Sequence, residues 1–224
     1  MTGSSPRQFT PALGRSEFTT RYDDVIAVMV REKRLRSRLV ELLAPADGDT
    51  TIDIGSGTGT VAIAVKQAAP RARILAVDPD PEVRGIAEAR ASMAGVTVEF
   101  VTAMGDEMFA SLRTGAVDKV VSTLVLHQCP IDMKKAILRN AYRMLRPSSL
   151  LLVADYGVQP TLLTQMLFEQ VRNLDGRENT RPNKEGMVPI FIAECGFEAV
   201  EELTAIPTPT GSISIRFALK PANS

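Results

Sequence analysis

Along the chain, short and almost uninterrupted apolar runs alternate with longer stretches in which apolar residues recur every three or four positions. The short runs, at 51–54, 73–78, 96–101, 117–124 and 150–155, predict five buried strands. The longer stretches predict helices. One runs over 23–43 on Val25, Val28, Met29, Leu35, Leu39, Leu42 and Leu43. Another follows the glycines at 55–59, and a third runs to about Ala94 behind Pro79-Asp80-Pro81. A short one lies near 108–112, and one over 131–145 is stopped by Pro147. Buried strands alternating with helices argue for a parallel sheet covered on both faces. Right-handed crossovers make it an open, doubly wound α/β sheet with its ligand crevice at the carboxyl ends of the strands.

The last third changes rhythm. Leu162, Leu163, Met166, Leu167 and Val171 mark one more helix, a polar loop is expected over 175–183, and a helix over 188–194 is capped by Gly196. Two strands, 197–204 and 212–219, are joined by a turn too short for a parallel crossover, so the sheet should end in an antiparallel hairpin. The expected fold is therefore a mostly parallel seven-stranded sheet with helices on both faces, forming one domain over 22–224. Residues 1–21 lack periodicity and read as a flexible arm, or as a lid that buries Phe9, Leu13 and Phe18. Glu32 falls on an apolar stripe, where an unpaired carboxylate is costly. Arg36 at i+4 supplies an ion partner, unless Glu32 faces the cleft.

Composition narrows the partners. Among 224 residues the 26 basic and 26 acidic side chains balance, so no bulk charge steers the chain to nucleic acid or a membrane surface. Two cysteines, Cys129 and Cys195, form neither a metal spacing nor a disulfide framework, and no metal site is expected. No apolar run reaches the ~18 residues of a membrane span, and the leading residues lack a signal-peptide core. The expectation is a cytoplasmic protein that acts on a small molecule.

Chemistry concentrates at Thr51-Ile52-Asp53-Ile54-Gly55-Ser56-Gly57-Thr58-Gly59. Alternate glycines let the backbone turn sharply and approach a ligand, and the amides opening the next helix point at it. Asp53, two places before the first glycine, disfavours phosphate and attracts a cation. The G-x-G-x-G spacing also differs from the dinucleotide pattern. Asp78, ending the second strand, suits a ribose diol, and Asp106, after the third, suits an exocyclic amino group. Together they describe an adenosine carrying a cationic amino-acid tail, which S-adenosylmethionine matches.

Over roughly 22–219 the chain resembles the class I, Rossmann-like S-adenosylmethionine-dependent methyltransferases, most of all the small-molecule branch around the ubiquinone and menaquinone C-methyltransferases. The match rests on TIDIGSGTGT at 51–60, ILAVDPDPE at 74–82, VEFVTAMGDEM at 98–108, VDKVVSTLVLHQCP at 117–130 and AYRMLRPSSLLLVADYG at 141–157. The resemblance implies that Asp53, Gly55, Ser56, Gly57, Thr58 and Gly59 hold the methionine end. It implies that Asp78 and Pro79 hold the ribose, that Met104, Gly105, Asp106 and Glu107 frame the adenine, and that Ser122 lies beside the cofactor. Tyr22 belongs to the helix that covers the cofactor in such enzymes. The family usually carries two histidines after strand four, where this chain has His127-Gln128.

Methyl transfer is an in-line displacement at a sulfonium methyl, in which orientation alone can be worth ~7–11 kcal/mol. A phenol or enol acceptor also loses a proton, and His127, the only histidine, is the candidate base; packing or a hydrogen bond is the competing role. Met166 and Phe168 are candidates to line an acceptor pocket, and the helix at 162–171 is a candidate homodimer surface. Ser122-Thr123-Leu124-Val125 lacks the motif of base-amino methyltransferases. The alternatives are a cofactor-binding protein without transfer, whether regulatory or a cyclase using the sulfonium's charge, and a nicotinamide oxidoreductase. S-adenosylhomocysteine is the expected product.

Overall fold

A computed structural model describes residues 30–107 and 113–223. Tyr22, the arm at 1–21, the apolar positions Val25, Val28 and Met29, and the short helix expected near 108–112 lie outside them. The elements, in chain order, are helix α1 (Glu32–Leu43), β1 (Thr50–Ile54), α2 (Thr60–Ala68), β2 (Arg73–Asp78), α3 (Pro81–Met93), β3 (Glu99–Thr102) and β4 (Val117–Thr123). A 3₁₀ turn (Leu126–Gln128) leads to α4 (Ile131–Met144), β5 (Leu145–Tyr156), α5 (Leu162–Asp175), α6 (Arg177–Lys184), α7 (Val188–Glu194), β6 (Glu198–Thr208) and β7 (Gly211–Leu219).

The strands form one sheet in the order β3-β2-β1-β4-β5-β7-β6. The first five are parallel, and β7 enters antiparallel between β5 and β6. The fold is the mostly parallel, seven-stranded Rossmann-like sheet expected of the sequence. Side-chain alternation along the strands sorts the core into two layers. Ile52, Ile54, Leu75, Val77 and Val120 pack with α4 and α7, while Ile74, Ala76, Val121, Leu152 and Ala154 pack with α1, α2 and α5. The order of strands reverses between β1 and β4, so the crevice opens above their carboxyl ends.

Local chemistry explains the helix ends. The Asp80 carboxylate accepts from the Glu82 and Val83 amides, capping α3 behind Pro81. Thr161 and Thr164 cap α5 reciprocally. Glu32 pairs with Arg36 at 3.1 Å at the start of α1, and both remain partly exposed.

Four expectations change. The stretch 175–183 is not a loop: the end of α5 and α6 occupy it, with Asn179, Thr180 and Asn183 as pegs and Arg177, Glu178 and Arg181 exposed. The Thr180 hydroxyl donates to the Gly176 carbonyl (2.8 Å), the Asn179 amide to the Gln128 carbonyl (2.9 Å), and the Asn183 amide to the Tyr156 carbonyl (3.0 Å). Strand β5 begins five residues early, through Pro147. A proline is tolerated at a strand's beginning, and the Ser148 amide there donates to the Lys220 carbonyl (3.0 Å). Strand β3 is shorter than 96–101, pairing only from Glu99 onward against β2. The hairpin turn shrinks to two residues because β6 runs on to Thr208.

Candidate functional site

Three segments converge at the carboxyl edge. After β1 the chain turns through Gly55, with the Gly55 and Ser56 amides both donating to the Val77 carbonyl at 2.8 and 3.0 Å. Gly55 has φ +71°, and a β-carbon there would lie 2.1 Å from Val125 Cγ2, so the turn after β4 rests directly on the glycine backbone. Gly57, at φ +51°, has open space where its β-carbon would stand.

Beneath this turn Asp53 is 1% exposed, and neither carboxylate oxygen has a well-formed hydrogen bond. Burial, with Asp78 nearby, pushes its pKa up to about 7, and the Ala62 amide in the first turn of α2 offsets part of that. A buried carboxylate without a donor is unstable in isolation and favourable to a cation. Asp78 is partly buried. Its oxygens accept from the Gly57 amide (2.9 Å) and the Asp80 amide (3.0 Å), which couples the end of β2 to the glycine turn. Burial raises its pKa against those two bonds. Pro79 lies between Asp78 and the α3 cap.

The turn 104–107 is held from the other layer. The Asn140 amide of α4 donates to the carbonyls of Gly105 (2.9 Å) and Glu107 (2.8 Å), and the Glu107 amide donates to the Met104 carbonyl (3.1 Å). Ser122, at the end of β4, is buried with an unpartnered hydroxyl among the described residues. Arg90 of α3 donates to the Thr58 hydroxyl.

His127 stands in the 3₁₀ turn, 3% exposed. Its Nδ1 meets Asp155 Oδ1 at 2.8 Å and its Nε2 meets Asp175 Oδ2 at 3.3 Å, while Tyr156 approaches edge-on at 4.9 Å. Burial alone would lower its pKa, but the two carboxylates outweigh that and raise it to about 9. An imidazole charged at neutral pH, with a carboxylate on each nitrogen, has no lone pair to take a proton. This arrangement favours the competing role of His127, a hydrogen-bonded residue, over that of a base. Phe168 is core, stacked near Tyr156 at 4.8 Å, whereas Leu162, Leu163 and Met166 are exposed; Met166 and Phe168 therefore do not line one pocket.

The glycine turn, Asp53, Asp78 and the 104–107 turn thus gather along one edge, with Ser122 at the end of the neighbouring strand. Asn140 and Arg90 support that edge, whereas Asp155, Asp175 and Lys134 surround the turn of His127, and none of these five is predicted as a site residue from the sequence. Asn140 had a signal, being a polar residue on the apolar stripe of Ile137, Leu138, Ala141 and Met144.

Comparison with known proteins decides the chemistry. A family model described as a methyltransferase domain matches residues 52–148. Demethylmenaquinone methyltransferase of Thermus thermophilus is 29% identical over 162 residues, covering 70% of this chain and 72% of that protein. These matches support a class I S-adenosylmethionine-dependent methyltransferase. Solved structures share its fold at low identity. A SAM-dependent methyltransferase from Aquifex aeolicus superposes with TM-score 0.65 at 14% identity, over 89% of this chain and 95% of its own. The YcgJ protein of Bacillus subtilis gives 0.68 at 13%, over 84% and 99%. S-adenosylmethionine is the cofactor these matches imply. The edge fits it, since an orphaned buried carboxylate lies under a turn whose Gly57 leaves room for a ligand. Among the described residues no helix is long and apolar enough to cross a membrane, and no cluster of side chains could hold a metal ion.

Proposed function

We propose that this methyltransferase acts on a small phenol- or quinol-like acceptor, delivering methyl to carbon or oxygen. The observation that carries the acceptor class is the similarity over 162 residues to an enzyme named for demethylmenaquinone.

In this reading Asp53 takes the ammonium of the methionine end, and Gly55, Ser56, Gly57, Thr58 and Gly59 bring backbone close to it. The two oxygens of Asp78 retain acceptor capacity beyond the Gly57 and Asp80 amides and receive the ribose diol. Met104 to Glu107 flank the adenine, with Asp106 toward its amino group. Pro79 and Ser122 complete the walls, and Tyr22 closes the site from the leading segment. Bound S-adenosylmethionine supplies a methyl group already activated by the sulfonium. The protein's work is to orient the acceptor in line with it and exclude water.

The test is S-adenosylhomocysteine production across a panel of naphthohydroquinones, simple phenols and amines. Turnover should be confined to the hydroquinones and the more acidic phenols. Tight S-adenosylmethionine binding with no product from any of them would sink transfer to this class and favour a protein that binds without transferring.

A further inference from the structure

The buried ionic cluster around His127 is larger than a packing contact requires. Asp155, at the carboxyl end of β5, accepts from the His127 backbone amide (3.2 Å), from its Nδ1 (2.8 Å) and from the Tyr156 amide (2.7 Å). Asp175, the last residue of α5, meets Nε2 at 3.3 Å and is 18% exposed in its side chain. From α4, the wholly buried Lys134 donates to the Leu126 carbonyl in the same turn. The Asn179 amide of α6 reaches the carbonyls of Gln128 (2.9 Å) and Asp175 (3.3 Å), and the Asn183 amide reaches that of Tyr156. Two carboxylates face two cations, so the cluster is self-neutralised, with only Asp175 reaching solvent. Such an arrangement is held only when its members are also hydrogen-bonded.

A carboxylate oxygen against each ring nitrogen favours a ring protonated on both. Its turn lies two residues beyond Val125, the residue seated on Gly55 of the cofactor turn. The geometry points to His127 as a positioning residue: a strap, its ring held between two carboxylates, that fastens the α5–α6 junction to the turn after β4, whose Val125 rests on Gly55. The inference rests on the proposed function in one respect, namely that the glycine turn under Val125 holds the cofactor.

The strap has a defined pH window. A histidine whose folded pKa is raised contributes stability that is complete below about pH 6.5, its unfolded value, and is lost as pH climbs through about 9. The groups facing it are Asp155 and Tyr156 from β5, Asp175 from α5, Lys134 from α4 and Cys129 from its own turn. Burial, against the pull of Asp155, lowers Lys134 to about 8, so the second cation weakens in the same window. Burial raises the Cys129 thiol to about 11, and it stays neutral there.

Because His127 is the only histidine, the test is direct. In the full chain labelled with ¹⁵N-histidine, both ring nitrogens should carry protons at pH 7, with a midpoint near 9. Asp175→Asn should lower that midpoint by about a unit or more. The same variant should reduce amide-exchange protection across 177–184 by about tenfold, leave protection at Ile52–Ile54 unchanged, and keep S-adenosylhomocysteine affinity within about twofold, equivalent to under ~0.5 kcal/mol. In the wild type, protection of 177–184 should fall through pH 9, whereas in His127→Phe it should be low and flat with pH. A neutral ring at pH 7, or unchanged protection in Asp175→Asn, overturns the strap. These readings need neither cofactor nor acceptor, so they stand apart from the panel of acceptors that tests the proposed function.

Discussion

The two halves of the crevice are built on different plans. On the cofactor side, from β3 to β1, the acids sit in short sequence motifs, and Asp78 also accepts from the Gly57 amide of the neighbouring turn. Asp53 precedes its glycines by two residues, and Asp78 accepts from Asp80, two residues on. On the other side, from β4 to β7, polar groups work in pairs remote in sequence, such as His127 with Asp155 and Asp175, or Asn179 with Gln128. The cofactor side also leaves Asp53 unsatisfied, whereas the far side saturates His127 with partners. At Asp53 the vacancy leaves room to receive a ligand, and at His127 the saturation holds a wall.

That contrast breaks most sharply at the point where the halves touch. Gly55→Ala would place a β-carbon 2.1 Å from Val125 Cγ2 at a φ of +71°. The backbone strain and the overpacking should each cost about 1–3 kcal/mol. If roughly 3 kcal/mol of this falls on the bound state, S-adenosylhomocysteine affinity drops about a hundredfold. Calorimetry on Gly55→Ala and on the double variant with Val125→Ala separates the two contributions. The double variant should recover the packing part and not the strain. Full recovery would show that the glycine is there for space alone.

The difference between vacancy and saturation is sharpened by Asp53→Asn. The folded carboxyl keeps its proton up to about pH 7, while the unfolded chain releases it near 3.8. The native state therefore binds more protons between those values, and apo stability should fall as pH rises from about 4 to about 7. Asp53→Asn should flatten that fall in thermal melts. It should also weaken S-adenosylhomocysteine binding at pH 8 by tenfold or more, about 1.4 kcal/mol. A melting curve of the wild type that is level across this range would mean that Asp53 is already ionised in the free protein.

These two plans also account for what could be read from residues alone. The βα rhythm, the doubly wound sheet and the hairpin follow from period and spacing, which are local properties. The glycine turn and the acids at 53, 78 and 106 were visible for the same reason. Helix α6 was hidden because Arg177-Glu178-Asn179-Thr180-Arg181-Pro182-Asn183-Lys184 has the composition of a loop, and its helical state depends on pegs to the 3₁₀ turn and to Tyr156. His127 looked like a base because its partners lie 28 and 48 residues away. Asp155 was evident as an acid ending a strand, but no periodicity indicates which side chain an acid will meet.

Glu32 gives the smallest expected effect and the cleanest control for an acid that looked important in sequence. Like Asp53, it falls on an otherwise apolar pattern, and it could have faced the cleft. Its side chain is 26% exposed and sits 3.1 Å from Arg36, one turn along the same helix. Solvent screens such an i,i+4 pair, so Glu32→Gln should change stability by no more than about 0.5 kcal/mol. S-adenosylhomocysteine affinity should be unchanged. A loss of affinity approaching that of Asp53→Asn would move Glu32 from a brace on α1 to the rim of the site, and the cofactor side would then reach past the glycine turn into α1.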